Sequence, residues 1–186
     1  MTALHFPDPP IRTNDFALRP WQANDTDAVV EACTDPETQR FIPYMPRNYT
    51  YKDADEFIRR AGRNLADGRA IGMAITPSEL QPAIGSITLH AGEPWHWYIG
   101  YWMTPAYRGR GITSAAVREY SLWAFADYPS LVRLSLFTMP DNAASQRVAE
   151  RAGFTREGLL RSWDDSAGTP EDVVLYSLVR TDLQRL

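Results

Sequence analysis

Cysteine is almost missing from this chain. Cys33 is the only one in 186 residues, which excludes an internal disulfide and any zinc site built from cysteine thiolates. It is expected to be a buried structural thiol. Histidine is also scarce. His5, His90 and His96 show no ligand spacing, so no metal is expected. His90 and His96 flank a turn and are expected to be solvated or loop residues. Lysine occurs once, as Lys52 among 19 basic residues. A GC-rich bacterial genome would produce that bias. No stretch approaches the roughly 18 apolar residues of a membrane span. The start "MTALHFPDPP" lacks the charged end and apolar core of a secretory signal. A cytoplasmic protein with no membrane contact is expected. The net charge of −4 provides no basic field for nucleic acid.

What is present suits one globular domain: 44% apolar and 23% charged residues. Residues 1–15 are rich in proline and read as an extended arm with little structure of its own, leaving residues 16–186 as the domain. "FALRPW" (16–21) alternates like a strand. A short helix follows, with its apolar stripe at Ala28, Val29, Ala32 and Cys33. "PETQRFIPYMPRNYT" (36–50), with three prolines, reads as a structured loop. A second helix covers 51–68. Three β-like runs follow: "RAIGMAIT", "PAIGSITLHAG" and "WHWYIGYWM". A helix over 109–128, a strand over 131–139 and a helix over 142–153 come next. Two strands, "FTREGLLRSW" and "VVLYSLVR", end the series around the loop "DDSAGTPED". The order β-α-α-β-β-β-α-β-α-β-β predicts a mixed sheet of about seven strands with helices on its faces.

One junction carries chemistry. "IGYWM" (99–103) runs into "TPAYRGRGI" and then into a helix. The first N–H groups of a helix have no partner inside it, and the helix dipole makes that end positive. Glycines let a phosphate approach the backbone. Arg108–Thr113 therefore reads as a pyrophosphate cradle, with Arg108 and Arg110 adding charge. Three other readings exist for such a turn. A P-loop needs a longer loop and a lysine, and is rejected. A dinucleotide fingerprint needs a third glycine where Ser114 stands. A plain exposed turn would suit the four residues taken alone.

A second motif, "NAASQRVAERAGF" (142–154), decides among them. With "LRPW", "IGYWMTPAYRGRGI" and the ending "EGLLR…DVVLYSL", the chain resembles the GNAT superfamily of acyl-CoA N-acetyltransferases. Within it, the chain resembles the Rim-type branch that acetylates protein N-termini, including those of ribosomal proteins. The resemblance implies an α/β fold with a twisted, mostly antiparallel sheet splayed between strands 4 and 5, helices on both faces, and acetyl-CoA as donor. The family signature falls on Arg108, Gly111 and Thr113, with Thr113 where a smaller residue is usual. It implies that Gly109, Arg110, Gly111, Ile112 and Thr113 surround the pyrophosphate. It further implies that Met103 and its strand pair with the pantetheine arm, and that Asn142 contacts the cofactor. Arg147 and Arg151 suit the 3′-phosphate or a solvated helix face equally.

The acid tyrosine of many relatives is replaced by Ala149, and the resemblance implies Ser145 as donor to the leaving sulfur. Helix capping is the alternative role for that serine. Relatives often carry Glu where Tyr98 stands. Tyr98, Glu93 and His96 are the base or acceptor-binding candidates, with plain loop roles as alternatives for Glu93 and His96. An α-amine, with a pKa of about 7.7–8.0, needs little help to become neutral. The acceptor wall is assigned to Phe41, Tyr44 and Trp163, with Asp164 and Asp165 to attract a cationic amine. The acceptor is expected to be a protein N-terminus, with a small-molecule amine and a succinyl donor as rivals. A non-catalytic CoA-binding module is a further alternative. A monomer or a homodimer is expected.

Overall fold

The computed structural model describes residues 3–42, 44–164 and 168–185. Seven strands form one sheet: β1 (Ala17–Arg19), β2 (Ala70–Thr76), β3 (Gly85–Glu93), β4 (His96–Met103), β5 (Arg133–Thr138), β6 (Thr155–Asp164) and β7 (Glu171–Val179). The helices are α1 (Thr26–Thr34), α2 (Pro36–Phe41), α3 (Tyr51–Ala66), α4 (Ile112–Asp127) and α5 (Ala143–Arg151). The spatial order of the strands is β1-β2-β3-β4-β5-β7-β6. Neighbours are antiparallel except β4 and β5, which run parallel with α4 as their crossover.

The element order expected from the sequence holds, with one correction. α2 lies inside the segment expected to be a loop. Its start is specified locally: the Asp35 carboxylate accepts from the Thr38 N–H at 2.9 Å, and Pro36 occupies the first turn. The prolines further on, read as breakers of the whole segment, only end the helix. Among the described residues the N-terminal arm contains no helix or strand, yet Leu4, Phe6 and Ile11 pack against the core. His5 N–H donates to Tyr128 Oη at 3.2 Å.

The sheet is covered on both faces. Trp97, Ile99 and Met103 of β4 point into the main core with Ala116, Tyr120 and Phe125 of α4. Trp102 points the other way, into a second cluster with Val29, Ala32 and Cys33 of α1 and Ala54 of α3. This alternation is what a strand's two-residue period requires. Burial pushes the Cys33 thiol up to about 11, so it is the structural, unreactive cysteine expected. A buried ion pair fastens the sheet edge: Arg19 grips Asp25 at 2.7 and 2.8 Å, and Asp25 also accepts from the N–H groups of Gln22 and Ala83. Burial would raise the Asp25 pKa, but these four bonds outweigh it and hold the group ionised.

His90 and His96 sit within β3 and β4, in the runs expected to be strands, and His90 is exposed to solvent as expected. Glu93 and His96 are themselves paired across the two-residue turn. Among the described residues no helix is long and apolar enough to cross a membrane.

Candidate active site

Pairing between β4 and β5 lasts three residues, His96–Tyr98 against Arg133–Ser135. Beyond Tyr98 the two strands part. β4 continues against β3 to Met103, and β5 continues against β7 to Thr138. The parting opens a cleft of about 520 Å³. Ile99, Gly100 and Tyr101 line one side and Leu136, Phe137 and Thr138 the other. The backbone edges here are available to an extended ligand arm, as a sheet edge is to an added strand.

One end of the cleft is the glycine turn. Gly109 and Gly111 have φ of +74° and +81°, a region that side-chain-bearing residues avoid. Gly111 precedes the first turn of α4 and provides no side-chain cap. Ala115 N–H closes onto Gly111 C=O at 3.1 Å, so the three amides before it face outward without helical partners. Gly109, Gly111 and Thr113 line the cleft, as do Met103 and Asn142. These residues fit an anionic pyrophosphate. Ile112 and Arg110 do not line it: Ile112 packs against the core, and Arg110 lies over the Tyr107 ring and donates to Ala106 C=O at 2.7 Å. Arg147 and Arg151 line the cleft from α5, and among the described residues neither is in an ion pair.

Arg108 lines the cleft beside the glycines, but its guanidinium is already engaged. Its guanidinium donates to Asp35 at 2.5 Å, Glu37 at 2.7 Å, Thr38 Oγ1 at 2.8 Å and Met103 C=O at 3.2 Å. Burial would raise the Asp35 pKa, but the Arg108 bond and those from Thr38 hold it down. The side chain is committed to α2 and clips that helix onto the turn. Its positive charge is neutralised by two carboxylates, so it is not a free phosphate ligand. Arg108→Gln should raise hydrogen exchange of the α2 amides about tenfold or more while α4 stays protected, since bonds to charged groups contribute about 1.5–3 kcal/mol. Unchanged exchange in α2 would show that the clip does not hold the helix.

The middle of the cleft contains a hydroxyl pair. Tyr101 Oη meets Ser145 Oγ at 2.9 Å and donates to Ser145 C=O at 3.2 Å. This contact joins β4 to α5 across the parted strands. Burial keeps Tyr101 a neutral phenol, raising its pKa well beyond the usual value. Capping of α5 falls to Asn142, whose Oδ1 accepts the Ser145 N–H at 3.0 Å. That leaves the Ser145 hydroxyl out of the capping role considered for it. Tyr101 was expected only as part of the strand that pairs with the pantetheine arm, and its hydroxyl was missed. The signal was its place in the inward-facing alternation of β4.

Phe41, Tyr44 and Asp164 also line the cleft, and Tyr44 stands exposed at its mouth. Tyr44 is largely exposed, and the protein around its ring and the Asp164 charge both raise its pKa. Trp163 does not line the cleft; it stands outside, stacked on Phe137 at 6.2 Å. Asp165 lies outside the described residues. Tyr98 is likewise outside the cleft wall, between the rings of His96 at 4.6 Å and Phe137 at 5.8 Å. Glu93 is corrected more strongly. It sits in the β3–β4 hairpin, at the opposite end of β4 from the glycine turn, exposed and away from the cleft. His96 Nε2 is engaged with Ser135 Oγ at 2.8 Å.

A cleft through a sheet, with an anion cradle at one end and an acid at the other, suits transfer between a phosphate-bearing donor and a cationic acceptor. Comparisons with known proteins agree. An uncharacterized N-acetyltransferase of Bacillus subtilis, YoaA, is 26% identical over 92% of this chain and 97% of its own length. The ribosomal-protein-serine acetyltransferase of Escherichia coli is 33% identical over 52% of this chain and 54% of its own. The structure of RimL, a ribosomal L7/L12 α-N-protein acetyltransferase in complex with coenzyme A, superposes with a TM-score of 0.78. It is 22% identical and covers 91% of this chain and 97% of its own. The profile of the acetyltransferase (GNAT) domain matches residues 15–155, and the chain belongs to the GNAT family of acetyltransferases.

Proposed function

We propose that this enzyme transfers an acetyl group from acetyl-CoA to the α-amine of a protein or peptide, by direct attack with both substrates bound. The observation that carries this is the parting of β4 and β5 beyond Tyr98. It gives one continuous passage from the α4 amides to the Tyr44–Asp164 mouth. Acetyl-CoA supplies the activated thioester. The α4 amides and the glycine turn receive its pyrophosphate, and the free edge of β4 receives its arm. Arg147 and Arg151, which make no ion pair among the described residues, offer positive charge for a further phosphate. Ser145 Oγ donates to the departing sulfur, with Tyr101 fixing the direction of that hydroxyl. Asp164 draws a cationic amine to the mouth, where Phe41 and Tyr44 form an apolar wall. An α-amine fits best, because its pKa of about 7.7–8.0 leaves it partly neutral near pH 7. The names of the relatives, two of them ribosomal-protein acetyltransferases, support the same acceptor class. The enzyme acts in the cytoplasm, as a monomer or homodimer, with no nucleic-acid partner.

Calorimetry with acetyl-CoA, followed by thiol release across peptides and small amines, tests this reading. Donor binding and turnover on peptides with free N-termini, lost when the terminus is blocked, are expected. Failure to bind any acyl-CoA overturns the donor assignment. Turnover confined to small amines overturns the acceptor.

A further inference from the structure

Most of an α-amine is still ammonium at pH 7, so a proton acceptor on the acceptor side of β4 would speed the proposed reaction, and apart from Asp164 at the mouth the cleft wall offers few. Glu37 is bound to Arg108, and Tyr101 and Tyr44 have raised pKa values. Beside the wall stands His90. It lies on β3 directly opposite Tyr98, with Gly100 two residues further along β4. Opposed residues on antiparallel strands place their Cβ atoms about 4.5–5.5 Å apart. Its side chain shares the sheet face of Trp102, the face of α1 and α3, because Ile87 and Leu89 alternate into the opposite core. A Cβ at Gly100 would find one neighbour there, His90 Nε2, at 3.9 Å. Gly100 itself lines the cleft. The missing side chain therefore leaves the imidazole nitrogen bordering open space at the wall.

The geometry points to His90 as the general base that takes a proton from the acceptor ammonium, reaching the cleft directly or through one water over Gly100. This role rests on the acetyl transfer proposed above. Nε2 accepts one proton from R–NH3+, and the freed amine forms the C–N bond as the C–S bond breaks. The second nitrogen proton passes to the sulfur by way of Ser145. The imidazolium then returns its proton to solvent, so one proton is released per acetyl group moved. The ring is equipped for this. Among the described residues it makes no hydrogen bond. It is open to solvent on one side, while protein beneath it penalises the charged form and lowers its pKa, with no charged neighbour contributing. It faces Tyr98 from β4 and Ala70 from β2. The charged groups in the adjoining turns are the Arg69–Asp67 pair and Glu93. A base with its pKa at or below the ordinary 6.5 or so is unprotonated at neutral pH, while an α-ammonium still holds its proton.

The test is the pH profile of kcat/KM for a peptide acceptor, with donor affinity measured alongside. His90→Gln is expected to lower kcat/KM about tenfold at pH 7, because an α-amine with a pKa of about 7.7–8.0 is only roughly a tenth to a sixth neutral there. The deficit should shrink towards pH 9, as the amine loses its own proton to water. Donor affinity should stay within twofold. Gly100→Val, whose Cβ would stand 3.9 Å from the imidazole nitrogen, should reproduce the pH-dependent deficit. In wild type, the NMR signal of the His90 ring should titrate at or below the ordinary imidazole range and shift when the peptide binds. A deficit that is constant with pH overturns the proposal, because a merely structural role would produce that. Loss of the acid limb in His96→Gln in place of His90→Gln overturns it as well. If wild type binds no acyl-CoA, it is the acetyltransfer reading that fails, and the ring titration then shows separately whether His90 is available as a base.

Discussion

Gly111→Val should reduce acetyl-CoA affinity more than 100-fold and leave a folded protein. The residue sits at φ +81° and ψ −10°, immediately before α4. A left-handed backbone costs an L-residue roughly 1–2 kcal/mol, and more when the side chain is β-branched. Nothing in the protein lies within 4 Å of a Cβ built there. The Cβ therefore meets no protein atom, and backbone strain is the main cost to the fold. The ligand has no such freedom. The space a valine would fill is the space in front of the α4 amides, where an anion must come close to use them. Gly111→Ala should fall between the two, with the strain but less of the obstruction. Calorimetry for affinity and thermal melting for the fold separate the effects. Donor binding within threefold of wild type in Gly111→Val would place the cradle elsewhere.

Ser145→Ala should lower kcat about 100-fold at saturating substrates, the lower part of the usual range for proton transfer to a leaving group. Neither KM nor stability should move much. Tyr101 Oη retains the Ser145 carbonyl at 3.2 Å as its partner when the hydroxyl is removed, and the Asn142 cap uses only the backbone N–H. No buried polar group is stranded, so a fall in kcat reports chemistry. Tyr101→Phe should cost about tenfold, because it removes the partner that aims the hydroxyl and not the donor itself. The double variant should resemble Ser145→Ala alone, since two groups acting as one unit are not additive. Unchanged turnover in Ser145→Ala would remove the hydroxyl from the mechanism.

Much of this site was legible in the chain. The alternation of "WHWYIGYWM" produced β4, and "RGRGI" before an apolar helical period produced the cradle and α4. The parting of the strands followed from family resemblance, and the three-residue pairing of β4 with β5 agrees with it. The errors share one cause. Glu93 was judged near the chemistry because it is near "IGYW" in sequence, but a hairpin carries it to the far end of the strand. Arg108 was given to phosphate because of its neighbours in the motif, while its carboxylate partners lie about seventy positions upstream. Trp163 was placed on the acceptor wall by analogy, and it stacks one ring further out.

Sequence by itself determined the periodicities, the glycines that a left-handed turn requires, and the order of elements. Those are set by interactions within a few residues, where backbone sterics and hydrophobic alternation act alone. Tertiary structure decided the partners. Ser145 and Tyr101 are 44 residues apart in the chain, and they meet because α5 returns over the gap between the parted strands. His90 comes to stand beside Gly100 of the cleft wall through the register of β3 on β4. A one-residue slip in that register would turn the imidazole to the opposite face. No local pattern encodes that choice, since it comes from packing two faces of one sheet at once.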